Sequence, residues 1–268
     1  MQNLRTFSQK AKEYSYLSRI DIVKTVYRAK GGHLGGSLSV IDILSSIYAF
    51  QGFSSFELIL SKGHCLLAWI ATLIRTGELK HDVLNNFYNE NSRFGGHPKK
   101  GSTNSITWST GSLGHGLSIT CGKAFANKNK NYICILGDGE LNEGSIWEAL
   151  MFLSQHNLNN ILVMIDNNKQ ESLARTEEIL SVENLELKIG GMRLDVKRID
   201  GHNIDILVEE INDYFYSEFL REKPLVLICD TIKGKGVSFM EADPKWHHRK
   251  IKDHEYEIAL RELEDEKN

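Results

Sequence analysis

What most constrains this chain is an alternation in its second half. Apolar runs at 132–136 (YICIL), 161–166 (ILVMID) and 225–229 (LVLIC), with a mixed run at 195–199, alternate with longer amphipathic stretches. Continuous apolar strands interleaved with helices predict an α/β fold: a parallel sheet covered by helices on both faces. The spacing predicts helices over 143–156 and 204–220 in this half. Upstream, Leu17, Ile20, Val23, Val26 and Tyr27 predict a helix over 16–30, ended by Gly31-Gly32. Further helices are expected over 38–50 and 66–75, with a strand at 56–60. The charged tail, 253–268, reads as a helix with a solvated face. Residues 90–111 hold Gly95, Gly96, Pro98 and Gly101 among Ser and Thr. They predict a long loop of the kind that carries function in a compact domain.

The 268 residues suit one large domain or two small ones. With 32 basic against 35 acidic side chains, no nucleic-acid partner is expected. Cys65, Cys121, Cys134 and Cys229 are scattered without a C-x-x-C pair, which reads as reduced, mostly buried thiols in a cytosolic protein. The first ten residues lack an apolar core, and no apolar run approaches the roughly 18 residues that span a bilayer. A cytoplasmic protein without membrane contact is the expectation.

Ligands of an open parallel sheet bind beyond the carboxyl ends of its strands. Two such ends are unusual here: GDGELNEG at 137–144, and IDNNKQ at 165–170. Asp138 and Asn168 lie 30 residues apart, about one strand–helix–strand unit, so neighbouring strand ends bring their oxygens together. Hard oxygen ligands of this kind suit Mg²⁺ or Ca²⁺. The flanking glycines let backbone N–H groups approach a phosphate, and the next helix presents its N-terminus. Singly, Asp138 reads as a turn residue and Asn168 as a cap; as a spaced pair they point to a metal–diphosphate site. Neither G-x-x-x-x-G-K-[ST] nor a strand-following G-x-G-x-x-G is present.

These two segments together resemble the metal–diphosphate signature of thiamine-diphosphate enzymes. GHLGGS at 32–37, SKGH at 61–64, GHP at 96–98, STGSLGHG at 109–116, GKGVSF at 234–239 and Trp246-His247 resemble transketolase segments, in transketolase order. The resemblance runs from about His33 to His248. It implies the thiamine-diphosphate-binding fold, with 1–268 as a single diphosphate-binding domain. It further implies two-carbon ketol transfer from a ketose to an aldose. A complete transketolase is far longer, so the chain resembles the N-terminal subunit of a split enzyme. A pyrimidine-binding C-terminal subunit is the expected partner, in a dimer of heterodimers.

The same resemblance implies site residues. Asp138 and Asn168 would be metal ligands, with the Gln170 carbonyl a third. Gly139, Glu140 and Ile232 would bind the cofactor, as would Gly111 and Leu113 at its aminopyrimidine. His64 and His247 would lie near the diphosphate and reactive carbon. His33 and His97 would meet substrate hydroxyls or shuttle protons, since imidazole titrates near working pH. Of these, His33, His97 and His247 are the expected catalytic residues. Glu143 and Glu148 would lie at the subunit interface. Lys233 and Lys235, in the glycine loop, face either phosphate or solvent, the pocket being preferred; His115 and His248 carry no assigned role.

Zinc is disfavoured, because no H-x-x-x-H pair exists. A 2-oxo-acid dehydrogenase α-subunit shares the metal signature, but its substrates offer no row of hydroxyls for the histidines. A non-catalytic scaffold would be free to lose Asp138. The lysines Lys99-Lys100 and the short loop before Phe56 argue against the phosphorylated pentoses of the central pathway and leave a modified or nucleotide-linked sugar open as the sugar or sugar-phosphate substrate.

Overall fold

The apolar runs become a sheet whose two faces are sorted by residue parity. The computed structural model describes residues 4–52, 54–216 and 222–265. Its strands are β1 (Phe56–Leu60), β2 (Asn131–Gly137), β3 (Ile161–Asn167), β4 (Asp195–Asp200) and β5 (Leu225–Asp230). They lie in the order β1-β2-β3-β5-β4, and every neighbouring pair is parallel. Leu60, Ile135, Met164 and Leu227 stand in register across four strands and point into one core. Cys134, Val163 and Val226, one residue back, point into the other. Period-two alternation with both faces covered makes each run apolar throughout.

The first core is roofed by α1 (Leu4–Ala29), α2 (Leu34–Ala49), α3 (Leu66–Arg75), α8 (Ile204–Tyr216) and α9 (Asp253–Asp265). The second lies under α4 (Gly116–Ala126), α5 (Gly144–Gln155) and α7 (Leu185–Gly190), with the single turn α6 (Thr176–Ile179) nearby. Helix α2 is buried on every side, as a helix at the centre of a layered domain must be. It begins four residues earlier than the spacing predicts, in Leu34-Gly35-Gly36-Ser37. Those glycines are poor helix formers, but a Cβ on Gly35 would lie 3.0 Å from both Lys233 Cγ and the Trp246 carbonyl.

Three expectations need correction. Helix α1 starts at Leu4 rather than near Tyr16, because after Phe7 its early seam is built from Ser8, Ala11, Ser15 and Ser18, small residues that leave little apolar signal. Helix α4 begins in glycine and was not expected. The charged tail helix α9 is no mere solvated face: Ala259 and Leu263 are fully buried in the first core. Part of the helix expected over 204–220 and the last residues of the tail lie outside the described residues. The long loop is as expected, with neither helix nor strand from 88 to 115. All four cysteines are free and buried. No helix among the described residues is long and apolar enough to cross a membrane.

Ile135 is fully buried on β2, an inner strand of the sheet. Ile135→Ala is expected to lower unfolding free energy by roughly 2–5 kcal/mol, read from the urea midpoint with an unchanged slope.

Candidate active site

Asp138 directly follows β2 and Asn168 directly follows β3. These strands are neighbours, with Gly137 opposite Asp166, so the two residues meet at one sheet edge. Both line a cleft of about 260 Å³ together with Gly139, Gln170, Gly111 and Leu113. A more open hollow of about 520 Å³, lined by Phe56, Glu57 and Lys130, lies at the amino-terminal ends of β1 and β2. Its one carboxylate, Glu57, is already paired with Lys123 and Lys130. The smaller cleft, at the carboxyl ends, carries the reactive side chains.

Asp138 Oδ2 accepts from Thr176 Oγ1 at 3.1 Å. Asn168 Oδ1 accepts the Gln170 N–H at 3.1 Å, and its Nδ2 donates to Ser39 Oγ at 3.3 Å. The buried Oε1 of Gln170 has no hydrogen-bond partner. Burial, then the nearby Asp166 charge, pushes the Asp138 carboxyl up to about 6, against a weaker pull from Lys62. This set of hard oxygens around an undercompensated carboxylate is what a divalent cation would satisfy.

Asp166 carries no role in the sequence reading, yet it anchors the floor. It pairs with Lys62 in full burial, accepts from Ser39 Oγ at 2.6 Å, and takes the Thr231 hydroxyl on its other oxygen. Burial alone would raise its pKa; Lys62 and these hydrogen bonds hold it below the usual range.

Four histidines from four segments converge over this floor. The His33 ring lies 5.4 Å from His64, 5.7 Å from His97 and 5.2 Å from His247, centroid to centroid. His248 joins them, 4.6 Å from His33. Burial, then neighbouring imidazoles, pulls His33 down to about 3. Burial and Lys233 pull His247 to about 4; burial and Lys62 hold His64 well below its usual value, and burial lowers His97. These imidazoles are therefore neutral at physiological pH. Their expected titration near working pH is replaced by hydrogen bonding as neutral donors and acceptors.

Gly111 adopts φ +146°, and a Cβ there would lie 2.9 Å from the His97 ring, so glycine is what lets His97 cover the cleft. Glu140 lines the cleft but spends its oxygens on structure. It accepts from the Gly114 N–H at 2.9 Å, the Gly137 N–H at 3.2 Å and the Ser61 hydroxyl, tying loop 111–116 to the end of β2. Ile232 is not among the lining residues; the next residue, Lys233, is. Lys233 Nζ donates to the Glu171 carbonyl at 2.7 Å, the Gln170 carbonyl at 3.4 Å and His247 Nδ1 at 3.1 Å. Burial, then Lys62, lowers it to about 8, which leaves it cationic at neutral pH. Lys235 is outside the cleft, beside Glu241. His115 is exposed at the start of α4, and Glu143 and Glu148 are exposed on α5 and its approach. Glu171, unmarked in the sequence, also lines the cleft; Asn142 holds it at 2.8 Å.

A parallel sheet with paired oxygens beyond two adjacent strand ends, glycine loops and a canopy of neutral imidazoles makes an α/β domain whose cleft suits a phosphorylated cofactor. Residues 10–264 match the family described as transketolase, thiamine diphosphate binding domain. The chain is 35% identical over 260 residues to one of the subunits of the apulose-4-phosphate transketolase of Phocaeicola vulgatus, covering 92% of this chain and 91% of that protein. It is 34% identical over 249 residues to 6-deoxy-6-sulfo-D-fructose transketolase subunit SqwG of a Clostridium species, covering 88% and 89%. A solved transketolase from Pichia stipitis superposes with a TM-score of 0.83 at 21% identity, over 96% of this chain and 40% of that one. The chain thus spans about two fifths of that solved transketolase and nearly all of the subunit relatives. It belongs to the transketolase family, as its thiamine-diphosphate-binding part.

The buried Asp138 carboxyl binds its proton more readily when folded than when unfolded. Ionisation therefore costs stability as pH rises from about 3.8 to about 6, and the cost is complete at neutral pH. Asp138→Asn is expected to raise the melting temperature of the cofactor-free protein at neutral pH, by a free energy on the order of 3 kcal/mol. The gain should vanish near pH 3.5, measured by calorimetry. The same variant should lose metal-dependent cofactor binding.

Proposed function

We propose that this chain is the diphosphate-binding subunit of a two-chain transketolase, transferring a two-carbon ketol unit from a ketose to an aldose. The observation that carries this reading is the meeting of Asp138, Asn168 and Gln170 beneath His33, His64, His97 and His247 in one cleft. Asp138, Asn168 and the Gln170 carbonyl would hold Mg²⁺, with Ca²⁺ able to replace it. Gly139 would let the backbone approach the diphosphate, while Gly111 and Leu113 would meet the aminopyrimidine. When bound, thiamine diphosphate supplies an electron sink for the two-carbon unit in transit. The chain's own residues do the rest. Neutral His33 and His97 hydrogen-bond to sugar hydroxyls and orient them, and His64 and His247 close the inner end of the cleft against water.

Both subunit relatives are named for sugars carrying a phosphate or a sulfo group. This supports a non-standard ketose with an anionic end. Lys233, which lines the cleft, offers it a charge. Their names also support a separate pyrimidine-binding chain, since this chain covers nine tenths of each. Glu143, just before α5, and Glu148 on it, both exposed, are the proposed interface of a dimer of heterodimers in the cytoplasm.

The purified chain alone is expected to show no ketol transfer, and turnover should appear on adding a pyrimidine-binding partner with thiamine diphosphate and Mg²⁺. Robust turnover by the lone chain would overturn the two-chain reading. In the reconstituted enzyme, His33→Ala or His97→Ala should lower kcat by about 10²-fold with cofactor affinity retained. Steady-state kinetics beside calorimetry checks both, and loss of affinity with kcat intact would reassign these residues.

A further inference from the structure

Beneath the cleft lies a buried polar unit that the reading above does not use. Asp42 on α2 is gripped by Arg19 on α1, at 2.9 Å and 2.6 Å through both guanidinium nitrogens. On the other side His202, in the turn before α8, meets Asp42 Oδ2 through Nδ1 at 2.7 Å. The second ring nitrogen, Nε2, lies 2.8 Å from the backbone nitrogen of Ile232. A backbone N–H can only donate, so Nε2 is the acceptor and the His202 proton sits on Nδ1, facing Asp42. Arg19 Nε reaches the Lys235 carbonyl at 3.4 Å. Asp42 thus joins two grips on one loop, one on each side of Lys233.

That loop has little freedom between the grips. Gly234 has φ +85°, and a Cβ there would stand 2.3 Å from the Met240 carbonyl. Its N–H donates to the Gly35 carbonyl at 3.0 Å, and the Lys233 carbonyl accepts from Ala242 at 2.9 Å. Lys233 is therefore delivered to one place, 3.1 Å from His247 Nδ1. An ammonium has donors and no acceptor, so Nδ1 must accept and the His247 proton must sit on Nε2.

We propose that Asp42, Arg19 and His202 form a positioning unit that, through loop 231–236, sets Lys233 against His247 and fixes His247 as its Nε2–H tautomer. His247 then enters the cleft as a hydrogen-bond donor. The tautomer assignment stands on this chain alone; only its consequence for turnover rests on the transketolase reading.

The test compares two replacements of His202 that each keep half of its bonding. His202→Gln places an acceptor where Nε2 was and retains the grip on Ile232. His202→Asn places a donor where Nδ1 was, retaining the Asp42 bond and losing Ile232. Ring ¹⁵N shifts of His247 in the full chain at neutral pH read the tautomer, with thermal melts recorded for each variant. The wild type and His202→Gln should show unprotonated Nδ1 and protonated Nε2. His202→Asn should show mixed tautomers, as should Lys233→Met. With partner and cofactor, His202→Asn should lose about tenfold in kcat, a typical cost of removing a residue that orients a functional imidazole, while His202→Gln rescues it. Identical behaviour of the two His202 variants, or an unchanged His247 tautomer in Lys233→Met, overturns the proposal. If His202→Asn does not fold, Lys233→Met decides alone. Should the wild type give no turnover with any partner, the functional reading fails while the ring shifts still report on the positioning unit.

Discussion

The site rests on one buried ion pair. Lys62, just beyond β1, and Asp166, near the end of β3, are both almost wholly removed from water. Removing such charges from solvent is costly, and only a geometry that satisfies every lone pair offsets it. Asp166 meets that condition through Ser39 on α2 and Thr231 after β5, in addition to Lys62. The pair therefore clamps a helix and three strand ends together. Those elements carry Asn168 and Gln170 after β3, His64 after β1, His33 at the start of α2 and Lys233 after β5.

The electrostatics of the cleft follow from that clamp. Burial is the main reason the histidines stay neutral, and the cations Lys62 and Lys233 beneath His64 and His247 add to it. Asp138 stands on the other side of the balance. It is close to Asp166 and incompletely offset by Lys62, which leaves its carboxylate short of positive charge. A pocket with neutral hydrogen-bonding groups above and an unmet negative charge below is suited to an ion-bridged anionic cofactor beneath a polyhydroxylated substrate.

Much of this was legible in residue order. The strands at 132–136, 161–166 and 225–229 announce themselves because a doubly covered sheet demands apolar side chains at every position. Asp138 and Asn168 stand out because a polar residue straight after such a run lies at the strand end where ligands bind. Asp166 was less visible: it closes an apolar run, and nothing local says that its partners are Lys62, 104 residues away, and Ser39. Ile232 and Lys233 show the same limit. Adjacent residues in a glycine loop are indistinguishable by composition, and only the pinned path of the backbone decides which one enters the cleft. The early turns of α1 and the start of α2 were hidden by serines and glycines chosen for close packing.

Residue order was enough for the parallel sheet, the strand ends that bear the oxygens and the family, since these depend on apolar periodicity and on short motifs in sequence. The charge state of the histidines, the clamp between Lys62 and Asp166, and the grip on Lys233 emerged only in the folded chain. Those depend on burial and on groups far apart in the chain, and desolvation and Coulomb energy are properties of distance in space, which residue order does not contain.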